Sequence, residues 1–526
     1  MRVQRVLVWL AFAGGCSADG SSDGRSPGSP DAGQHTGQPL HPPTPTDTAA
    51  PELCSSEERL ELAVTAAEGP LATALSLSVE VGAPATVAAL CTSDEDPHEE
   101  HLVESGASAR RHELRFVGLL PDTTYTCHVA ATCPMSSAPV EITHTTGVPS
   151  VRFPVLEVEV DPALGMTGSW TLAAWQDTTL RPLYLVIWGP DGRPRWWWQL
   201  PAGLELDVEA LLDPEKTAWG GRQLLWGGGD RPTGAPTVVD LWEGATYVAD
   251  LPRWKGRDNR YSHDTKRLPD GRILSLQVLE NEARDRFDGF GVRIHDPETG
   301  HVDFEYDSQR LVDDGVLDRG IGPDPFHANW VGWYDTANGP RLYVSLFANQ
   351  RILAIDGGSG EFLWEFGPRL GWEVVNAAGD PLPEEALPQG QHGLEVDGDE
   401  LLVYDNGVDR FESRAERWRL DPVARTAQRL WVWTEPGFFE QFLGDVDDLG
   451  HGRVLVTQAT LGNSNSPTAF VEVDTATNDV ASRLTMPARS DVSYRGERYG
   501  GCELFDHVGE CPRLADRREA LRVVLP

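Results

Sequence analysis

Basic side chains are scarce. Lys and Arg total 44 against 81 Asp and Glu, giving a formal net charge of −37. A polyanion such as nucleic acid needs basic surface to displace its counterions, so nucleic acid is excluded as the main partner, and so is an anionic membrane face. Long apolar runs are also missing. The one candidate, residues 6–13 (VLVWLAFA), is too short to cross a bilayer as a helix. Zinc-ribbon cysteine spacings are absent too, which removes the commonest structural metal site.

What is present is rich in turns and aromatics. Gly (53), Pro (39) and Trp (18) are abundant in 526 residues. Frequent turn residues between short apolar segments argue for an all-β chain of more than one domain. The start, Met1-Arg-Val-Gln-Arg followed by the short apolar run, has the order of a secretory signal over residues 1–15. Cys16, directly after Ala-Gly-Gly, resembles the acceptor of a lipobox, which would attach the chain to membrane lipid. The expected product is exported, a lipoprotein in the periplasm or at the cell surface. Six cysteines remain beyond Cys16: Cys54, Cys91, Cys127, Cys133, Cys502 and Cys511. An even number in an oxidising compartment reads as disulfides. Cys502–Cys511 is the expected pair, with the other connectivity open.

Residues 16–52 carry almost no large apolar side chain and read as a flexible tether. Residues 53–147 read as a small β-sandwich. Within them Leu120-Pro-Asp-Thr-Thr-Tyr125-Thr-Cys127 resembles the fibronectin type III turn into a late strand, with Tyr125 as a tyrosine corner.

Residues 148–526 repeat. A strand, an Asp, a small turn and a Trp-rich strand recur around Asp240, Asp296, Asp356, Asp421 and Asp474, at intervals of 56, 60, 65 and 53 residues. A looser first copy is YLVIWGPDGRPRWWW. Six copies of a meander at this period predict a six-bladed β-propeller.

Three histidines share a register in these repeats. His327 and His392 each stand 29 residues before their repeat's Asp, and His263 stands 33 before its own. Equivalent positions at the start of innermost strands converge on the propeller axis. Three imidazoles there suit either a metal site or group transfer, with one imidazole as nucleophile and the others as donors to an anion. His295 and His451 lack the register, and the Trp run at 196–198 suits blade packing.

Beyond spacing, the motifs resemble the bacterial arylsulfate sulfotransferases over roughly 150–500. The resemblance is carried by Ser-His263-Asp followed by Leu-Pro-Asp-Gly, by Asp324-Pro-Phe-His327-Ala-Asn329, by Gln391-His392-Gly with Tyr404-Asp405-Asn406-Gly407, and more weakly by Ser493-Tyr494-Arg495. It implies a six-bladed propeller after a sandwich, an aryl sulfate donor and a phenol acceptor. It also implies no cofactor and no obligatory metal. His392 would carry the sulfuryl group, with His263, His327 and Asn329 holding its oxygens and Asn406 nearby in the pocket. One departure stands out. The family has an arginine two residues after the position of Ser345, and here that residue is Phe347. Arg351 has the same strand parity but could reach the site only through a bulge or loop. The alternative to an enzyme is a lipoprotein propeller whose channel binds an anion with little or no catalysis. A metalloenzyme ranks third, because no carboxylate stands at a ligand-like spacing beside the histidines.

Overall fold

The computed structural model describes residues 60–505 apart from 134–136, 178–182, 200–213, 218–222, 227–236, 243, 248–253, 255–259, 282–285, 319–324, 461–465 and 501–503. Cys16, Cys54, Cys502, Cys511 and Asp324 therefore lie outside the described residues, and with them the expected Cys502–Cys511 pair and the lipid anchor.

The first described strands form two sheets that share one long strand, Leu75–Ser93. Its first half pairs with Leu62–Glu68 and Ala109–Phe116, and its second half with Glu100–Glu104 and Thr124–Cys133. Alternate residues face inward, so Leu75, Leu77 and Val79 meet Leu114, Phe116, Tyr125 and Val129 in one core. The Tyr125 hydroxyl accepts from the Leu120 backbone N–H at 2.8 Å, the geometry of a tyrosine corner. Cys91 and Cys127 stand opposite each other on adjacent strands and form a disulfide.

Among the described residues six further sheets follow, numbered here as blades in chain order. Blade one comprises Trp170–Asp177, Leu183–Trp188 and Pro194–Gln199. Blades two to five each bring four consecutive antiparallel strands, beginning at Pro214, Arg260, Ala328 and Gln391. Blade six begins at Asp445. Closure uses both ends of the repeat region. The late strands Asp491–Val492 and Gly496–Tyr499 pair with Trp170–Asp177 as the inner edge of blade one. The early strand Glu157–Val160 pairs with Val480–Thr485 as the outer edge of blade six. This double overlap makes the sheet set a closed β-propeller.

Apolar clusters fill the seams. Leu276, Val292 and Ile294 of blade three meet Val331, Leu342 and Val344 of blade four, and Trp330, Ile352 and Ala354 meet Leu394, Val403 and Trp418 of blade five. Within the Trp run, Trp196 is fully buried in such a seam. The recurrent Asp has a local cause. Asp296, Asp356, Asp421 and Asp474 each accept two backbone N–H groups, two and three residues on, and so close the outer hairpin of their blades.

Candidate active site

His263 and His392 lie on the inner strands of blades three and five, and His327 directly precedes that of blade four, all at one recurring irregularity. The strand register shifts between Tyr261 and Thr265, between Ala328 and Trp330, and between Gln391 and Leu394. Each shift falls at or beside the functional side chain. A bulge of this kind re-aims a residue that the regular pleat would direct along the sheet. His263 and His327 also carry positive φ, 51° and 44°. An imidazole residue adopts that conformation only where surrounding structure holds it there.

The result is a closed circuit of five rings. Centroids lie 4.9 Å apart for His263–His327, 5.4 Å for His327–Phe347, 5.0 Å for Phe347–His392, 5.8 Å for His392–Tyr494 and 6.3 Å for Tyr494–His263. Residues more than 200 positions apart in the chain thus face one small space. Phe347 is a full member of the circuit. Its place is set by the tight turn after strand Gly339–Leu346, where Phe347 N donates to His327 O at 3.0 Å and Gln350 N to Phe347 O at 3.1 Å.

His392 is the most constrained of the three. Its Nδ1 lies 2.7 Å from Asn406 Oδ1, and Asn406 Nδ2 donates to the carbonyls of Glu440 (2.9 Å) and Leu443 (2.8 Å). The amide orientation is thereby fixed, so Oδ1 can only accept and Nδ1 must carry the proton. The other nitrogen, Nε2, keeps its lone pair. Burial lowers the imidazole to about 3, with the charge of His327 adding to the fall and the acceptors Asn406 and the Gly390 backbone opposing it. His263 is held well below its ordinary value by burial and by its histidine neighbours. Both rings are therefore neutral at working pH.

The motif residues around His392 each have a structural task. Asp405 binds Arg410 and accepts from the backbone N–H groups of Gln389 (2.7 Å) and Gly407 (2.9 Å), which shapes the loop that presents Asn406. A Cβ at Gly393 would overlap the Asp445 carboxylate and its backbone in blade six, so His392 can be followed only by glycine. Gln391 Nε2 donates to Ser345 Oγ (3.1 Å) and Arg351 O (2.9 Å), stitching blade five to the turn that carries Phe347. Asn329 is buried beside them and donates to Gln391 O at 2.8 Å, while its Oδ1 has no partner among the described residues.

Arg351 does not enter the circuit. Its guanidinium binds Glu365 at 2.8 Å and Val316 O at 3.3 Å, within its own blade and the preceding loop. The guanidinium that stands at the site belongs to Arg495, which the sequence marked only weakly. Arg495 lies 4.9 Å from the Tyr494 ring, donates to Asn329 O at 2.7 Å and reaches Asp264 Oδ1 at 3.4 Å. Burial lowers it to about 9. It ties blade one to blades three and four.

Acidic groups occupy the inner strands of blades six and one. Carboxylate oxygens of Asp445, Asp447 and Glu497 lie within 4.8 Å of one another, the one grouping among the described residues whose spacing suits a cation. Burial and the Glu497 charge push Asp445 and Asp447 well above their ordinary values. Lys266 Nζ, 3.9 Å from Asp264, is the near cation.

Residues 244–495, which hold all five rings, match the arylsulfotransferase (ASST) family model. No curated protein matches the chain by sequence. Similar solved structures include the β-propeller domain of Myceliophteria thermophila Cps50 (Swd1), 11% identical, covering 76% of this chain and 99% of that one with a TM-score of 0.32. Another is the dihydro-heme d1 dehydrogenase NirN, 11% identical, covering 79% and 76% with a TM-score of 0.32.

Proposed function

Starting from the arylsulfotransferase domain of residues 244–495, which supports a sulfotransferase-type function, we propose that this protein moves a sulfuryl group from an aryl sulfate to a phenol through a sulfo-histidine at His392. The observation that carries this reading is the fixed tautomer of His392. A nucleophile needs a lone pair aimed at sulfur, and the Asn406 arrangement leaves one on Nε2.

In the first half-reaction Nε2 attacks sulfur, and the bond from sulfur to the aryl oxygen breaks. The electron pair leaves with that oxygen, which takes a proton from His327 and departs as the phenol. His392 becomes an N-sulfoimidazolium. Its Nδ1–H bond to Asn406 strengthens as the ring becomes cationic, because a charged donor binds its acceptor more tightly. In the second half-reaction the acceptor phenol returns a proton to His327 and attacks sulfur. The N–S bond breaks, and the lone pair returns to Nε2. Throughout, His263 supplies an N–H to the sulfuryl oxygens, where negative charge gathers in the transition state. The chain performs these steps with its own side chains. By the same reading it is exported and held to membrane lipid through Cys16.

Steady-state kinetics test the reading. Turnover of a chromogenic aryl sulfate should rise with added phenol, and double-reciprocal plots at several phenol concentrations should run parallel. Intersecting lines, or release of inorganic sulfate with no phenol dependence, would contradict transfer through a covalent enzyme form.

A further inference from the structure

We propose that Phe347 and Phe442 form the aryl subsite of this site and restrict its substrates to uncharged, planar aryl groups. The inference rests on the sulfuryl-transfer reading and specifies where the part of the substrate that is not transferred must lie.

Four of the five rings in the circuit carry a heteroatom, and Phe347 alone does not. It stands between two imidazoles, 5.4 Å from His327 and 5.0 Å from His392. It offers no donor and no charge to a sulfuryl oxygen, so its contribution is a π-face and apolar area. The ring is also seated deliberately. Gly390, at φ 67°, lies so close that an added Cβ would come within 3.0 Å of Phe347 Cε2. A side chain there would tilt Phe347 out of the circuit.

Phe442 continues this surface outward. Its ring centroid lies 6.0 Å from that of Phe347, inclined at 48°, and the residue is 44% exposed. Among the described residues only Phe411 and Phe442 are large, exposed aromatic hydrophobics. Phe442 belongs to the same loop whose Glu440 and Leu443 carbonyls hold Asn406, and Phe442 N donates to Glu440 Oε1 at 3.1 Å. The segment that orients the nucleophile thus also carries the outer aromatic wall. An apolar track therefore runs from solvent over Phe442 and Phe347 to the His392 imidazole. A flat aryl ring lying on that track places its ester oxygen and sulfur over the imidazoles. Offset or edge-to-face contact with two phenylalanines favours a neutral ring. An added carboxylate or phosphate would be desolvated against two side chains that cannot pair with it, in a protein whose net charge is −37.

Titration of the full chain with the fluorescent phenol 4-methylumbelliferone tests the subsite without needing turnover. Wild type should saturate, and Phe442→Ala and Phe347→Leu should each weaken binding roughly tenfold. In the same assay 4-hydroxybenzoate should compete at least about tenfold more weakly than 4-ethylphenol. Phe442 is exposed, so its truncation leaves the fold intact, and Phe347→Leu retains most of the volume. Unchanged affinity in both phenylalanine variants would overturn the subsite while leaving sulfuryl transfer standing. Lost affinity in both, in a protein that proves unable to transfer a sulfuryl group, would uphold the subsite and remove the transfer reading. A Phe442→Ala variant that alters only the sedimentation coefficient would assign this surface to contact between copies of the chain and overturn the proposal.

Discussion

A single side-chain amide decides which nitrogen of His392 can react. Asn406 spends both its hydrogens on backbone carbonyls and turns its oxygen to Nδ1. Asn406→Leu should therefore lower kcat by roughly 100-fold with little change in the KM for donor. A merely structural defect would move Tm and KM together instead. Burial of His392 also makes a pH prediction. Its value falls from 6.5 to about 3 on folding. Between those values the unfolded chain binds a proton that the folded one does not. The contribution of neutral His392 is fully present above pH 6.5 and is lost as pH falls towards 3. Urea unfolding between pH 6 and pH 4 should show stability falling with acid, and His392→Gln should make that slope shallower by up to about 1.4 kcal/mol per pH unit. An equally steep slope in the variant would mean that this imidazole is not buried neutral.

At the scale of strands and turns, the histidine register was legible because one local device recurs. An Asp closes the outer hairpin of each blade, and its position measures the distance back to the inner strand. The longer spacing at His263 reflects the long hairpin of strands Ile273–Asn281 and Arg286–His295. The bulges that turn the imidazoles inward were not legible, since side-chain alternation looks the same until one residue is left unpaired. Phe347 could be placed at the site by its offset from Ser345. Parity kept Arg351 open as a second candidate, but its guanidinium is bound to Glu365. Glycine after His392 belongs to this scale too. Gly393→Ala should displace the inner strand of blade five from Asp445 of blade six and reduce both stability and turnover. Wild-type melting and turnover in Gly393→Ala would show that the seam has room the structure does not display.

For the molecule as a whole, the important contacts join segments far apart in the chain. Tyr494 and Arg495 reach the site because the late strands pair with Trp170–Asp177, more than 300 residues earlier. Motif spacing within a repeat carries no information about that return, so Arg495 was undervalued in the sequence. Its guanidinium bridges Asn329 and Asp264 across the closure. The sandwich is joined to blade one by charge. Glu99 contacts Arg195, with Arg193 3.3 Å from Glu95 beside it. Burial raises Glu99, but His101 and Arg195 outweigh it and bring it to about 2, against 4.5 for the free group. This contribution is present above pH 4.5 and is lost as pH falls through 2. Glu99→Gln should therefore lower the Tm at pH 7 and bring it closer to wild type at pH 2.5. An equal deficit at both pH values would locate the effect in packing.

Transfer through a covalent intermediate turns on one atom, Nε2 of His392. Rapid quenching after mixing the full chain with an aryl sulfate in the absence of phenol, followed by peptide mass spectrometry, examines that atom directly. About one added sulfuryl group per chain is expected, located on His392, discharged when phenol is added and missing in His392→Ala. Turnover that continues in His392→Ala, or an adduct on a different residue, would contradict this assignment.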